Sequence, residues 1–483
     1  MAPHRAFVAV ALVAAISTRL GAEAAACSHD VVVAVERLRI TMPPLGSAIT
    51  WWSCCALVVL HVVRRSYDEA IGQRHAIGWL AVIVVSFALH GAVQWERFAS
   101  PQTGDFSGVV YARSDATVRN AAVTLVVEVA GENFRLTARG RDRASLRRIR
   151  MGDLLLVDAE RVAHDRRTLR FSAGRHVQGD LRNVVVHATA RSSTPWHRAA
   201  NRIHELIDRG SRTMHDDDAA LVRGLVLGDE SRQPARMTAA FRAAGLGHLL
   251  AVSGQNVALL LAALTPALRR LSRWPRLVTA LGIVAMFALV TRLESSVVRA
   301  AVMAGVVQVG YAIGRDVLPL RALAITVTAI VTIDPLAMWS IGFVLSVAAT
   351  TGLVVITPLL GRSVFAATTA AQLGVAPFSM WWFGSIPIVA LLTNVLAVPV
   401  ASAVMMVGPL LLGAAAFMPD VVAGWCVVAV VAAVRWVWWV AELSARLAVP
   451  GWLNAVGWLV VLSIVIRRIG AVSRGRIHPH ARL

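Results

Sequence analysis

Residues 224–261 read GLVLGDESRQPARMTAAFRAAGLGHLLAVSGQNVALLL, and polar side chains interrupt an otherwise apolar run in the second half of this segment. The interrupting residues are His248, Ser253, Gly254, Gln255 and Asn256. Polar groups at membrane depth cost free energy unless they are paired or hydrated. On a helix, His248, Gln255 and Asn256 fall within an arc of ~100°. The pattern fits either the lining of a pore or hydrogen bonds between packed helices.

Apolar windows of this kind recur along the whole chain. Of the 483 residues, 57% are apolar and 16% are charged, whereas a water-soluble protein carries about 25% charged residues. Windows of roughly 20 apolar residues match the hydrocarbon thickness of a bilayer. The composition therefore argues against a water-soluble globule and predicts a polytopic α-helical membrane protein.

These windows also give a predicted membrane topology. Three of them precede residue 96, at residues 6–17, 49–63 and 76–93. Nine more are centred near residues 257, 284, 305, 326, 348, 372, 400, 434 and 459. Successive loops alternate sides, with both termini in the cytoplasm, when arginine-rich loops are placed inside. We expect about 12 transmembrane helices, although residues 6–17 also fit the apolar core of a signal peptide.

Residues 96–212 differ from the rest of the chain because charged residues are dense and apolar residues alternate with polar ones. Alternation with a period of two predicts half-buried strands, so we predict a small β-barrel. It is expected to be extracytoplasmic because the preceding span leaves the cytoplasm. The predicted organisation is an N-terminal helical region (1–95), the β domain (96–212), a second transmembrane domain (213–468) and a basic cytoplasmic tail (469–483).

The charge of the chain is strongly positive. All 48 basic residues are arginine, and the formal net charge is +20. Such a set is typical of a GC-rich genome, but the positive field still attracts anionic lipid or another anionic partner. One cluster of arginines lies in the β domain: Arg139, Arg141, Arg143, Arg147, Arg148 and Arg150.

Three further polar residues lie within or beside predicted spans. Arg299 is one turn inside a span, where it needs an acid, a carbonyl cluster, water or a phosphate, or else extends to the interface. Glu294 is its nearest candidate acid. Asp334 precedes Pro335 and is expected to cap the next helix. Asn394 lies near the middle of a span, where it fits either a cavity or a kink.

Small residues at four-residue spacing predict close helix packing. One stripe consists of Gly342, Ser346 and Thr350, and a second pair consists of Gly310 and Gly314.

Four ordered motifs resemble the ComEC competence family. The first is a Gly-Asp pair followed by a Phe and a Gly-x-x-His-Leu-x-Ala-x-Ser-Gly core, which includes Gly228, Asp229, Phe241, Gly245, His248, Leu249, Ala251, Ser253 and Gly254. Many family members have histidine where this chain has Asn256. SVVRAAVM at residues 296–303 and DPLAMWSIGFVLSVAATTGL at residues 334–353 resemble two later family motifs. The fourth comprises Pro377, Phe383, Gly384, Asn394 and Pro399.

The resemblance implies a multi-pass channel in the bacterial cytoplasmic membrane that passes single-stranded DNA during natural transformation. The translocation path would then involve Asp229, His248, Ser253, Gly254, Gln255, Asn256, Arg299 and Asn394. The β domain would correspond to the family's oligonucleotide-binding (OB) barrel, with the arginine cluster as DNA contacts. A DNA receptor, a partner ATPase, a separate nuclease and a second copy of the chain are the implied partners, beside DNA and the bilayer.

Neither an enzymatic activity nor a cofactor is expected. Many family members end in a metallo-β-lactamase-like domain, and this chain is expected to lack it, because it ends soon after its last predicted span. His478 and His480 resemble its first two metal ligands only, and no metal site is predicted. Two alternatives remain open at this point: a secondary transporter of a small or lipid-linked solute, and a truncated family member with a role outside competence.

Overall fold

The computed structural model describes residues 14, 16–19, 73–119, 122–140, 143–250, 253–361, 363–384, 386–447 and 451–475. The predicted span at residues 49–63, most of the one at residues 6–17, Arg141 and residues 476–483 lie outside these ranges. The chain divides into two compact units. The barrel unit consists of Met1–Ser193 and Gly305–Val344, and the helical unit consists of Thr194–Ala304 and Leu345–Leu483.

The helices are α1 Gln73–Ala99, α2 Arg143–Leu146, α3 Arg166–Ser172, α4 Pro195–Gly210, α5 Asp216–Leu227, α6 Ala235–Ala243, α7 Gly247–Leu250, α8 Gly254–Leu268, α9 Arg273–Val290, α10 Ser295–Ala312, α11 Pro319–Ile333, α12 Ile341–Leu360, α13 Val364–Phe383, α14 Ala390–Ala415, α15 Asp420–Arg446 and α16 Gly451–Gly475. The strands are β1 Gly104–Ala112, β2 Thr117–Arg119, β3 Ala122–Val129, β4 Glu132–Ala138, β5 Leu154–Ala163 and β6 Gly179–Ala190. Short 3₁₀ segments span Ala173–Arg175 and Pro335–Trp339.

The strands form a small closed barrel. Their order is β1-β5-β6-β4-β3, with β3 returning to pair with β1 and β2 extending β3. All pairings are antiparallel except that of β4 with β6. Alternate residues of β3 point inward and are buried, as period-2 patterning requires, and Phe134 fills the interior. This is the strand order of an OB barrel, so the predicted barrel class is confirmed.

The barrel has two distinct ends. At one end, Gln178 donates from its amide to the Phe98 carbonyl (3.2 Å), which ties the barrel to the end of α1. At the other end, Tyr111 pairs with Leu154, and Leu154 pairs with Ala190. Since β1 has 9 residues, the two ends are about 25 Å apart. Helix α2, in the middle of the arginine cluster, belongs to the end away from α1, because it leads through Met151 and Gly152 into the start of β5.

Aromatic packing holds the barrel against the end of α1. Trp95 and Phe98 form a buried cluster with Leu169 of α3 and with Leu336 of the 3₁₀ segment Pro335–Trp339. Trp95 also stacks on Trp339, with ring centroids 4.6 Å apart. Buried apolar area stabilises such a contact by about 25 cal/mol per Å².

An ion pair joins the barrel to the segment after α11. His176 Nε2 lies 2.9 Å from Asp334 Oδ1, and the same oxygen accepts from the Leu336 amide at 3.0 Å. The predicted capping role of Asp334 is therefore confirmed. Burial acts to lower the pKa of His176, but the hydrogen bond and the charge of Asp334 outweigh it, and the pKa is raised above the ordinary value of 6.5.

The raised pKa gives a pH-dependent prediction. A histidine with a raised pKa in the folded state stabilises the fold below its unfolded pKa, and this stabilisation disappears as pH rises through the folded pKa. We therefore expect His176→Gln to lower the thermal midpoint of the purified protein at about pH 5.5 but not at about pH 9. His187→Gln is the comparison variant: its pair with Asp158 is somewhat more exposed (45% and 49%, against 41% and 35% for His176 and Asp334) and lies on the strand surface, so its removal is expected to have the smaller effect. A constant difference across the pH range would contradict the prediction.

In the helical unit, the core lies between α4, α5, α6, α14 and α15. Within the described residues, five helices are long and apolar enough to cross a membrane, namely α9, α10, α12, α14 and α15, and shorter apolar helices include α8, α11 and Gly451–Arg467. The protein is thus a multi-pass membrane protein, and the count of about 12 spans stays a prediction. Helix α14 continues through Pro399 and Pro409 without a break.

Glycines allow two helices of the helical unit to pack backbone to backbone. A Cβ on Gly352 of α12 would lie 2.2 Å from the Ala370 carbonyl oxygen of α13, and one on Gly374 would lie 2.4 Å from the Ala348 carbonyl oxygen. The spacing of small residues predicted close packing elsewhere, including at Gly310 and Gly314. Gly314 instead lies beyond the end of α10, with φ +71 and open space around it.

The remaining predicted packing residues have other surroundings. A Cβ on Gly310 would meet Val317 and Arg315 of the turn that follows its own helix. Gly342 is exposed. Thr350 donates to the carbonyl of Ser346 on its own helix (2.8 Å). The Ser346 hydroxyl accepts a hydrogen bond from Arg299. A chain reversal after α10 therefore explains Gly310 and Gly314 better than a helix partner does.

The close contact at Gly374 gives a stability prediction. Gly374→Ala is expected to cost about 1–3 kcal/mol, because even a single methyl group must displace the backbone of α12. Gly424→Ala in α15 is the matched control, because nothing lies within 4 Å of its Cβ position. Alanine is the better helix former by about 1 kcal/mol, so the control is expected to be neutral or stabilising. Thermal midpoints of the two purified variants test this, and equal midpoints would rule out tight packing at Gly374.

Candidate functional site

The polar residues singled out in the sequence lie mainly at the beginning of α8. Ser253 occupies the N-cap position with extended backbone (φ −101, ψ 162), but its hydroxyl does not cap the helix. Gly254 begins the helix, and the Asn256 amide donates to the Ser253 carbonyl at 3.1 Å. An N-terminus without a side-chain cap leaves amide hydrogens directed outward and carries partial positive charge. The start of α8 therefore favours an anion.

Arg299 of α10 lies directly against this helix start. Its side chain is buried, with the residue 5% exposed, and a Cβ on Gly254 would lie 2.4 Å from Arg299 Nη2. In this conformation of Arg299, the glycine leaves room for the guanidinium. Arg299 Nε donates to the Ser346 hydroxyl of α12 at 2.8 Å, and Nη1 lies 3.8 Å from Met303 Sδ.

No carboxylate of the described residues is within ion-pair distance of Arg299, so the expected pairing with Glu294 is wrong. The expected alternative, extension to the interface, is also wrong, because the side chain is buried. An arginine that points across to α12 cannot reach back to the turn before its own helix. A buried guanidinium without a counter-charge is costly at membrane depth, so this site is electrostatically unbalanced without an anion.

Gln255 connects α8 to a third helix. It is exposed, and its Nε2 donates to the Ser402 hydroxyl of α14 at 3.0 Å. Ser402 in turn donates to the Val398 carbonyl at 2.7 Å. Helices α8, α10, α12 and α14 thus contribute Gln255, Arg299, Ser346 and Ser402 to one connected series of contacts, which we call the Arg299 cluster.

Two buried asparagines each have a side-chain carbonyl oxygen that accepts no hydrogen bond from the described residues. Asn256 and Asn394 are each 6% exposed, and the Oδ1 atom of each lacks a hydrogen-bond partner among the described residues. A buried carbonyl oxygen without a donor costs about 1–3 kcal/mol, so each position is suited to a water or a ligand donor. Beside Asn394, the Thr393 hydroxyl donates to the Ala244 carbonyl at 2.9 Å and fixes α14 to the turn before α7. His248, in α7, is exposed.

Asp229 is part of a different arrangement. Arg223 of α5 is 4% exposed and donates from Nη2 to Asp229 Oδ2 at 2.7 Å and from Nη1 to Asp208 of α4. Burial acts to raise the pKa of Asp229, but the charge of Arg223 and hydrogen bonds from Ser231 and Arg223 outweigh it and lower the pKa to about 2. An acid held this firmly has a structural role, so the structure does not bring Asp229 into the Arg299 cluster.

The predicted arginine cluster of the barrel lies around α2. Arg147 and Arg148 are exposed, while Arg143 and Arg150 are partly buried. The Arg150 amide donates to Asp153 Oδ2 at 2.9 Å, which positions the loop between α2 and β5. Arg139 is exposed at the end of β4. Phe134, an aromatic residue near this segment, is fully buried and fills the core.

Several residues at these sites were not predicted from the sequence. Arg223 and Asp208 form the buried ion network, and Ser402 binds Gln255. A charged residue in the apolar run LVRGLVL was the available signal for Arg223. Ser402 gave no signal, because a lone serine in a membrane helix more often bonds its own backbone.

Comparison with known proteins agrees with the ordered motifs. The sequence model of the family described as Competence protein matches residues 225–476, just over half of the chain. The matched range begins after the barrel and includes the whole Arg299 cluster. No curated protein and no solved structure matches the chain. The chain therefore belongs to the competence protein family, as a ComEC-like multi-pass membrane protein with a general role in DNA uptake.

Proposed function

We propose that this protein is a channel of the bacterial cytoplasmic membrane through which single-stranded DNA enters during natural transformation. The observation that carries the proposal is Arg299: a buried guanidinium, with no carboxylate partner among the described residues, against the uncapped start of α8. Two positive features that face each other are suited to an anion between or beside them. A phosphodiester strand supplies one negative charge per nucleotide.

The other residues of the Arg299 cluster are suited to letting a DNA phosphate pass rather than to binding it tightly. Gln255, Ser346 and Ser402 are neutral hydrogen-bonding groups, and a single arginine among neutral groups lowers the barrier for a phosphate without holding it firmly. Conduction requires sites that are favourable enough to enter and weak enough to leave. Asn256 and Asn394 have acceptor oxygens suited to water molecules that hydrate the strand.

The barrel would receive the strand before it enters the membrane. In this proposal the barrel is extracytoplasmic, and Arg139, Arg143, Arg147, Arg148 and Arg150 contact phosphates at the end of the barrel away from α1. Arg141 belongs to the same proposed set by its sequence and lies outside the described residues. The channel itself carries out no chemical step and uses no cofactor. A DNA receptor would capture the DNA, a separate nuclease would degrade the strand that is not imported, and a partner ATPase would supply energy. Two copies of the chain would act together.

Uptake of labelled DNA tests the proposed function. Deletion of the gene is expected to abolish entry of labelled single strands into the cytoplasm and to reduce transformation to the background level, and the intact gene restores both. DNA bound at the cell surface is expected to stay unchanged, because capture precedes the channel. Normal entry of labelled DNA in the deletion strain would contradict the proposal and favour a solute transporter or a role outside competence.

A further inference from the structure

Helix α3 presents an unusual exposed face at the foot of the barrel. On its inner side, Leu169 and the following Ala173 are buried against Trp95 and Phe98 at the end of α1. Gly174 then approaches the backbone of Ser340 so closely that a Cβ would lie 2.7 Å from its Cα. The position of α3 is therefore fixed by the end of α1 and by the segment before α12.

The outer side of α3 combines positive charge with one aromatic ring. Arg166, Arg167 and Arg170 are exposed, and Phe171 is 82% exposed. Residues four apart lie on the same side of a helix, so Arg166 lies beside Arg170, and Arg167 lies beside Phe171. The adjacent acid, Asp165, accepts the Thr168 amide at 3.3 Å as the N-cap and is directed toward the helix start.

The sequence of α1 places the expected membrane boundary close to this face. Helix α1 has no charged residue from Ile77 to Val93, and Trp95 and Phe98 follow directly. The apolar stretch ends at Glu96 and Arg97, where the membrane–water boundary is expected, and the buried Trp95 stacks on Trp339 at this level. Since α3 packs on these rings, its outer face lies at the depth of the lipid headgroups. Two further exposed arginines, Arg97 and Arg175, flank it.

We propose that α3 is an interfacial anchor that binds anionic phospholipid. Phe171 inserts into the boundary between headgroups and acyl chains, and Arg166, Arg167 and Arg170 contact the lipid phosphates. Helices that lie in the membrane interface combine arginines for the lipid headgroups with aromatic residues at the boundary of the acyl chains. The anchor holds the foot of the barrel on the bilayer, and it does not depend on what passes through the helical unit.

Single-stranded DNA is the other polyanion that an OB barrel is known to attract, but the arrangement favours lipid. Sequence-tolerant strand binding uses several aromatic rings along a groove. Phe171 is the sole aromatic residue of α3, and the half-exposed Tyr111 lies at the end of β1 away from α1. Within the described residues of 104–190, Phe171 and Tyr111 are the exposed aromatic residues, and a single ring at headgroup depth is suited to insertion.

Spin-label accessibility in nanodiscs tests the anchor. The full chain with Cys27, Cys54, Cys55 and Cys426 replaced by serine carries Phe171→Cys, or Ser145→Cys as the control. Ser145 is exposed on α2, at the end of the barrel away from α1. In nanodiscs containing phosphatidylglycerol, we expect the label at position 171 to collide more with oxygen and less with a water-soluble nickel chelate than the label at position 145.

A second experiment tests whether the anchor needs the arginine charges and the anionic lipid. In the Phe171→Cys protein, Arg166, Arg167 and Arg170 are replaced together by glutamine. We expect the oxygen and nickel accessibility of the label at position 171 to shift toward the values of position 145. Nanodiscs of phosphatidylcholine alone are expected to produce the same shift with the three arginines intact. All four side chains are exposed, so folding is expected to be retained, and a single size-exclusion peak checks it. Equal accessibility at positions 171 and 145 in anionic nanodiscs would overturn the proposal. So would shielding at position 171 that appears only after addition of a single-stranded oligonucleotide, which would assign the face to nucleic acid.

Discussion

Arg299→Gln is expected to reduce entry of labelled single-stranded DNA by about 100-fold, because one charged hydrogen bond to a phosphate is worth about 3 kcal/mol and each 1.4 kcal/mol corresponds to tenfold. Glutamine keeps the polar contact to Ser346 possible but removes the buried charge beside α8. Uptake of fluorescent DNA into cells that express equal amounts of each variant measures the effect.

Two control variants separate charge from packing. Arg299→Lys keeps the charge and is expected to retain part of the uptake, although lysine lacks the planar guanidinium that spans Gly254 and Ser346. Ser346→Ala removes one hydrogen bond but no charge, and is expected to have a small effect. If Arg299→Gln is stably expressed and imports DNA at the normal rate, Arg299 is not part of the path. An equal loss in all three variants would indicate a packing role instead.

Arg223→Met is expected to produce the largest loss of stability in the helical unit. Removal of the arginine takes away the buried cation that contacts both Asp208 and Asp229, and breaking a buried ion pair costs about 3–5 kcal/mol. The thermal midpoint of the detergent-purified protein should fall by about 10 °C. Because these residues are outside the Arg299 cluster, DNA uptake per folded molecule should stay near normal.

An exposed pair of the same kind provides the control for Arg223. Arg236 of α6 binds Asp217, but the arginine side chain is 70% exposed, and exposed pairs contribute about 0–1 kcal/mol. Arg236→Met should therefore leave the midpoint nearly unchanged. Comparable losses in the two variants would show that burial of the Arg223 network adds no stability.

The ion pair between Arg223 and Asp229 should also make the stability of the protein depend on pH in the acidic range. The pKa of Asp229 is lowered from 3.8 to about 2 in the folded state. A depressed carboxyl pKa stabilises the fold above the unfolded value, and the stabilisation is lost as pH falls through the folded value. The difference in midpoint between wild type and Asp229→Asn is therefore expected to shrink as pH falls from about 5 toward about 2.

Patterns in the sequence predicted the classes of structure because each pattern has one local cause. Alternation with a period of two in β3 follows from strands with one buried face, and long apolar windows such as those of α14 and α15 follow from bilayer thickness. Asp334 before Pro335 predicted a helix cap, because that interaction is made within three residues. The spacing of small residues was less informative, since Gly310 and Gly314 serve a turn while Gly352 and Gly374 form the tight contact.

The sequence by itself determined a polytopic membrane protein with an inserted β-barrel and a competence-type motif series, because hydropathy, alternation and motif order are properties of neighbouring residues. Only the tertiary structure decided which polar residues meet. In the structure, Arg299 donates to Ser346 and does not pair with Glu294. Gln255 donates to Ser402, and Asp229 pairs with Arg223 outside the Arg299 cluster. These partners lie 47, 147 and 6 residues apart in the chain. Contacts between helices depend on how the helices are rotated and spaced in the folded bundle, and local sequence does not fix either one.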